Sequence, residues 1–309
     1  MKISIIICAH NEENGIGRLL KNLATQRLPP EITDYETIVV ASGCTDRTVP
    51  IVKTFMAENS KIILIEQKKR RGKASAMNRA LKITTGDLIA SIPADVQPIK
   101  DGLYHLLTPF KNSNVTAVSG KPMQHPKSIK TGFLGKIANI TYAFWIYQMK
   151  ILNHAGYAAH SSGEFMAMRA DIIDHIPEEC AAEDSYISVI ARRKGFIKFA
   201  SKAVVYNIMP SNILDYMNQR RRWLYGHFQT HRLTGEYPTV MNTLIFHRPK
   251  LAMRIIKEVM LEKPKRIPFF FATAFIEAGI YALTVLDLIN RRQYGVWPII
   301  KSTKIKLDE

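Results

Sequence analysis

The sequence predicts an α/β fold, a parallel-rich sheet flanked by helices, followed by a helical region that interacts with a membrane. Three observations predict it. Short β-branched runs alternate with helical periodicities in the first part of the chain. Polar and basic residues gather just after those runs. The C-terminal part alternates basic and apolar residues before the most hydrophobic stretch in the chain.

Residues 3–9 form a continuous β-branched run, as a strand buried on both faces requires, and Ile16, Leu19, Leu20 and Leu23 then recur at helical spacing. Residues 37–41 repeat the strand signal, and Val49, Val52, Phe55 and Met56 mark a second helix. A third strand at 62–65, a third helix at 74–81 and a fourth strand at 88–92, ahead of Pro93, complete a β-α-β-α-β-α-β order. That order gives a parallel sheet whose ligands bind outside the carboxyl ends of the strands. The ends at 9–11, 41–46, 67–73 and 93–97 are therefore expected to line one crevice. Two are rich in Gly, Asn, Ser or Asp and one is strongly basic, which suits a nucleotide diphosphate, although neither G-x-G-x-x-G nor G-K-[ST] is present.

Beyond about residue 120 the period breaks down. Residues 129–152, with Phe133, Tyr142, Phe144, Trp145 and Tyr147, predict a long helix, 204–208 a strand, and Asn212 opens a helix through Leu214, Met217 and Trp223. Residues 244–265 set Arg248, Lys250, Arg254, Lys257, Lys263 and Lys265 among apolar residues, the style of an interfacial helix. Residues 268–290 are long enough, at about 1.5 Å per residue, to cross a hydrocarbon core of about 30 Å. Glu277 near their middle, with Lys263, Lys265 and Arg266 before and Arg291 and Arg292 after, favours a segment lying in or dipping into the leaflet. The competing reading is a buried core helix.

The chain has 309 residues, 47% hydrophobic and 22% charged, which excludes disordered, collagen-like and coiled-coil classes. Lys and Arg number 43 against 26 Asp and Glu, a net charge of +17, so a polyanionic partner is expected: nucleic acid, an anionic membrane surface or a phosphate-bearing substrate. Basic residues beside apolar segments favour lipid over duplex, and with no zinc-finger or RNP-type motif no nucleic-acid partner is expected. Cys8, Cys44 and Cys180 lie far apart, and their odd number points to a reducing compartment such as the cytosol. The run at 3–9, closed by His10, Asn11, Glu12 and Glu13, is too short for a signal segment.

Six stretches together resemble glycosyltransferase family 2, of the membrane-associated type with the GT-A fold. They are Ile6 through Glu13; Val39 through Thr48; Arg71-Gly72-Lys73 through Asn78; Ala94-Asp95 followed by Pro98; Ser162-Gly163-Glu164 with Glu183-Asp184; and the Q-x-x-R-W of Gln219, Arg222 and Trp223. The resemblance implies transfer of a sugar from a nucleoside-diphosphate donor to a glycan or lipid-linked acceptor hydroxyl, with Mg²⁺ or Mn²⁺, at the cytoplasmic side of the cell membrane. It implies donor contacts from Ala9, Asn11, Glu12, Ser42, Asp46, Arg71, Lys73 and Asp95, with Asp95 on the metal. Ser162, Gly163, Glu164, Gln219, Arg222 and Trp223 fall to the acceptor and diphosphate, and Glu183 and Asp184 to catalysis, Asp184 as the base.

The residue types have their own logic. A diphosphate leaving group needs a divalent metal and cations, and Asp95, Lys73 and Arg71 stand at strand ends to supply them. The plain reading of Asp95 is a turn residue between Pro93 and Pro98. An acceptor hydroxyl needs a carboxylate to take its proton, and Glu183-Asp184 opens an apparent helix whose positive end keeps both ionised. Their plain reading is a charged helix terminus. On the next helix Trp223 can floor the acceptor sugar and Arg222 can reach the diphosphate, while Arg220 and Arg221 read as a basic face toward solvent or headgroups.

Two departures from the family pattern stand out: Ala41 or Ser42 stands where a carboxylate is common, and Pro93 replaces the first aspartate of Asp-x-Asp. They motivate an alternative, a catalytically weak or inactive relative that binds nucleotide or glycan; a nucleic-acid-binding protein is a second, resting on charge alone. The expected domains are 1–235, with a nucleotide part to about 120 and an acceptor part to about 235, and a helical membrane-associated region at 236–309. With at most one span for a polymer channel, single additions are expected.

Overall fold

A computed structural model of the chain describes residues 1–126, 132–154, 160–296 and 299–304. Strand β1 (Lys2–Ala9), helix α1 (Ile16–Ala24), β2 (Asp34–Ser42), α2 (Thr48–Glu58), β3 (Ile62–Gln67), α3 (Lys73–Leu81) and β4 (Leu88–Ser91) follow in the predicted order. β1 pairs in parallel with β2 on one side and β4 on the other, and β3 continues the parallel set beyond β2. Ile3, Ile5 and Ile7 of β1 pack with Leu19, Leu20 and Val52 on one face, whereas Ile6 packs with Ile38, Val40 and Met77 on the other. Burial on both faces is why β1 reads as an unbroken apolar run. Strand order reverses at the β1–β4 pair, which puts a ligand crevice outside their carboxyl ends.

The second half adds β5 (Gln97–Pro98), α4 (Gly102–Leu107), β6 (Val115–Gln124), α5 (Phe133–His154), β7 (Met166–Arg169), α6 (Glu183–Lys194), β8 (Phe196–Asn207) and α7 (Ile213–Thr234). The sheet runs β3-β2-β1-β4-β7-β6-β8-β5, with β7 antiparallel between β4 and β6. Sequence reading missed β5, β6, β7 and the start of β8. β7 has four residues, none β-branched, and β6 contains Gly120 and Pro122 and two register shifts against β8. Residues 129–131 of the expected long helix lie outside the described residues; α5 itself ends two residues later than predicted, at His154. The Asn212 side chain accepts the Asp215 N–H at 2.8 Å, which caps α7 as a helix N-terminus requires.

The single interfacial helix expected at 244–265 is two helices, α8 (Met241–His247) and α9 (Pro249–Glu262). Pro249 excludes helical geometry at the residue before it, and Arg248 sits at φ −143° and ψ 62°. Helix α10 (Ile267–Ile289) follows, and the core-helix reading fails because only 17% of its apolar stretch is buried. Its buried residues are Thr273, Ile280, Thr284 and Asp287, while Phe271, Phe275, Leu286 and Ile289 are exposed. Three of these four buried residues are polar while large apolar side chains face outward, the reverse of a helix on a water-soluble core.

The inward charges correct a second expectation. Arg220 and Arg221 do not face solvent or headgroups. Arg220 donates to both carboxylate oxygens of Glu277, at 2.7 and 3.1 Å, and Arg221 makes a two-point pair with Asp287. Helix α7 thus neutralises the acids of α10, which lets Glu277 sit in the middle of an apolar helix.

Candidate active site

A cavity of about 540 Å³ opens at the carboxyl ends of β1, β2 and β4 and runs beneath α5, α7 and α10. It brings together Ala9, Glu12, Ser42, Lys73, Asp95, Ser162, Gly163, Glu164, Glu183, Asp184, Gln219, Arg222 and Trp223.

The cationic side is built on the turn into α3. Gly72 has φ 91°, and a Cβ there would lie 1.9 Å from the Gly295 carbonyl oxygen, so only glycine admits both the turn and the returning C-terminal segment. Lys73 follows, with Nζ 2.5 Å from Glu183 Oε1 and 3.3 Å from the Gly163 carbonyl oxygen. Burial would lower its pKa, but the Glu183 carboxylate outweighs burial and keeps the ammonium charged. Arg222 is buried, and burial brings its guanidinium down to about 9 against the opposing pull of Glu183, Asp184 and Asp95. Gln219 Oε1 is buried on the same lining without a hydrogen-bond partner among the described residues, and the Arg220 guanidinium stacks 5.2 Å from the Trp223 ring.

Glu183 and Asp184 are the first two residues of α6, which ends on Arg192, Arg193 and Lys194, so charges at both ends match the helix dipole. Asp184 Oδ2 accepts the Gly163 N–H at 2.9 Å, and His160 Nε2 lies 3.8 Å from the same oxygen. A Cβ on Gly163 would stand 3.0 Å from it, which makes glycine the residue that permits this contact. Burial pushes the Asp184 carboxyl up, but His160, Lys73 and the Gly163 N–H together hold it well below the usual carboxylate range. His227 meets the His160 ring edge-on, with centroids 6.3 Å apart, and burial brings it down to about 3.

The acidic side gathers around Asp95, which is exposed just past β4. Glu164 is pushed up to about 7 by burial and then by the charge of Asp95, and Glu12 is pushed to about 7 by the same two causes. Among the described residues no group of three His, Cys, Asp or Glu could hold a metal by themselves. Mg²⁺ and Mn²⁺ sites, however, need only one or two carboxylates when substrate phosphate and water complete the shell. Asp95 acts on both Glu12 and Glu164, so the three carboxyls are close enough to interact, and that donor set fits a divalent cation.

Three expected donor-side residues are not on the lining. Asn11, at φ 53°, accepts the Thr45 N–H at 2.8 Å, and Asp46 accepts the N–H groups of Thr48 and Glu13 at 2.9 and 3.0 Å, so both tie the β1 and β2 turns together. Arg71 turns away to Glu178 at 3.4 Å, and its neighbour Arg70 lines the cavity instead. His10, in the strand end at 9–11 expected there, lines it, and so do Tyr142, His160, Asn207, His227 and Lys304, which the sequence did not single out for the site. The basic run at 68–73 signalled Arg70, and His160 lies two residues from Ser162; Lys304 carried no signal. Its ammonium bonds the carbonyl oxygens of His10 and Asn11 at 2.8 and 3.0 Å and pairs with Glu12.

A mixed, mostly parallel sheet with its cavity at the strand carboxyl ends defines the class, the GT-A fold of glycosyltransferases. The chain belongs to glycosyl transferase family 2: that family's model matches residues 4–176, and the model of glycosyl transferase family group 2 matches 102–290. It is 26% identical over 230 residues to the poly-beta-1,6-N-acetyl-D-glucosamine synthase of Staphylococcus aureus, covering 72% of this chain and 54% of that protein. It is 25% identical over 234 residues to the beta-monoglucosyldiacylglycerol synthase of Nostoc sp., covering 74% of this chain and 49% of that one. The chain spans about half the length of these curated relatives. In fold it is similar to a mannosyltransferase from Pyrobaculum calidifontis solved with GDP-Man and Mn²⁺, at a TM-score of 0.58 and 22% identity, over 98% of this chain and 85% of that one.

Proposed function

We propose that the protein moves a sugar from a nucleoside-diphosphate donor to an acceptor hydroxyl, on a glycan or a lipid-linked molecule, at the cytoplasmic face of the membrane. One observation carries this reading: Lys73, Arg222, Asp95 and the Glu183-Asp184 pair converge on one cavity at the strand carboxyl ends. Relatives named for sugar transfer to a polysaccharide and to a diacylglycerol lipid support it.

In this mechanism Lys73 and Arg222 draw the diphosphate into the cavity and neutralise the charge that grows as it leaves. Asp95, with Glu164 beside it, would hold a divalent cation, which supplies further charge neutralisation on the phosphate oxygens. Asp184 takes the acceptor proton. Its low pKa makes it a weak base at rest, but a diphosphate seated near Lys73 offsets the cation that depresses it and raises its basicity when donor is bound. The Gly163 N–H fixes the receiving oxygen in place. Residues 1–235 form the catalytic part, and α8 to α10 hold it against the membrane with outward apolar side chains and nearby Lys263, Lys265 and Arg266.

A panel of nucleotide sugars assayed for nucleoside diphosphate release with Mg²⁺ or Mn²⁺ tests this. At least one donor should turn over, chelator should abolish turnover, and Asp95→Asn should remove the metal dependence of nucleotide binding while the protein stays folded. Nucleotide binding with no release under any acceptor would favour the inactive relative instead.

A further inference from the structure

The cavity does not end at the catalytic carboxylate. Beyond Asp184 it continues between α5, α8, α9 and α10, where Phe144, Ile245, Ile256, Phe270 and Ala274 line it. Phe144 and Phe270 contact each other with ring centroids 5.7 Å apart. Thr273, Glu277 and Tyr281 also line the cavity, but their polar groups are engaged: the Thr273 hydroxyl donates to the Phe269 carbonyl oxygen at 2.7 Å, Glu277 pairs with Arg220, and the Tyr281 hydroxyl donates to the Asn242 carbonyl oxygen at 2.8 Å. A sugar chain carries a hydroxyl on most of its carbons, and an arm so short of free polar groups would leave them without partners. A hydrocarbon chain has none to satisfy.

The wall of this arm is one helix thick, and its other side is the apolar outer surface. α10 turns Phe270 and Ala274 to the cavity while Phe271 and Phe275 are 65% and 82% exposed. On helix α8 both Ile245, which lines the cavity, and Phe246 reach the surface, at 46% and 68% exposed. Ala274 is itself exposed, so the arm opens to the outer surface beside it. Lys263, Lys265 and Arg266 precede α10 and would set its start at the level of anionic headgroups.

The geometry points to an acceptor that is itself a membrane lipid, with its hydroxyl-bearing head at Asp184 and its hydrocarbon chain in the arm between α5, α8, α9 and α10. The inference rests on the sugar-transfer reading above and narrows its acceptor. In the step it implies, the lipid hydroxyl oxygen bonds to the anomeric carbon of the donor. The bond from that carbon to the diphosphate breaks, the hydroxyl proton goes to Asp184, and nucleoside diphosphate leaves with the electron pair. The lipid enters sideways from the bilayer past Ala274, so its chain never crosses water.

Full-length protein on vesicles of phosphatidylcholine and phosphatidylglycerol, labelled with hexadecanol carrying a mid-chain diazirine, tests the arm without requiring turnover. Label should map to Ile256 and Phe270, and Ala274→Trp should reduce that label roughly tenfold or more while outer-surface label at Phe271 and Phe275 and nucleotide affinity stay unchanged. In parallel, hexadecanol should serve as acceptor at a concentration roughly tenfold or more below butanol or a soluble oligosaccharide. Label confined to Phe271 and Phe275, or inner label untouched by Ala274→Trp, overturns the inference, as does equal use of butanol or oligosaccharide. Absence of transfer to every acceptor would sink the sugar-transfer reading, and the labelling pattern would still decide the arm.

Discussion

Arg220 and Glu277 lie 57 positions apart, on α7 and on the most apolar helix of the chain, and meet through two hydrogen bonds of 2.7 and 3.1 Å. With side chains 13% and 20% exposed, neither charge is well hydrated, so each depends on the other. Arg220→Ala alone should destabilise the protein by about 3 kcal/mol, because it strands the Glu277 charge against apolar side chains. Replacing both partners by Met should recover most of that loss. Unfolding midpoints of the single and double variants in mild detergent check this, and equal destabilisation in both would show that the pair does not act as a unit.

Lys73 stands in the same relation to Glu183, whose side chain is only 4% exposed. Lys73→Met should destabilise by roughly 3 to 5 kcal/mol, and adding Glu183→Gln should restore folding. Nucleoside diphosphate affinity should stay low in both variants, by roughly ten- to a hundredfold, since the charge-assisted contact to phosphate is gone. Calorimetric titration of the double variant separates the two effects. Normal affinity there would remove Lys73 from the donor site.

Much of the fold was legible because its signals are local. Strands β1 to β4 are buried on both faces or bounded by turns, and the linear motifs at Lys73, Glu183-Asp184 and Gln219-Arg222-Trp223 fell on one cavity. What escaped depends on tertiary contact. The choice of Arg70 over Arg71 for the lining turns on which way a single turn faces. The pairing of Arg220 and Arg221 with Glu277 and Asp287 is invisible until α10 is laid on α7. Strand β7 is four residues of Met, Ala and Arg that pair only because β4 and β6 flank it.

His227 gives a pH dependence whose sign can be worked out. Its folded pKa of about 3 lies below the unfolded 6.5, so between these values the unfolded chain binds a proton that the folded one does not. Stability from this group is full above 6.5 and is lost as pH falls, by up to about 1.4 kcal/mol per pH unit. Glu12 and Glu164, at about 7 folded against 4.5 unfolded, act in the opposite direction: their contribution is present below 4.5 and is lost as pH rises through 7. The wild-type profile mixes the two, but His227→Gln removes only the first. The stability of that variant relative to wild type should rise steadily as pH falls from 6.5 to 4.5 in parallel denaturant titrations. A pH-independent difference would mean that His227 is not held neutral by burial.

In the proposed mechanism Asp184, fixed by the Gly163 N–H at 2.9 Å, receives the acceptor proton. The most direct measurement is the turnover of Asp184→Asn beside its affinity for nucleoside diphosphate, with Glu183→Gln as the companion variant. Asn keeps the size of the side chain and its amide oxygen can still accept the Gly163 N–H, so donor affinity should survive while kcat falls by roughly 10²- to 10⁴-fold. Near-wild-type turnover in Asp184→Asn would exclude Asp184 as the base and leave the pair as a charged helix terminus.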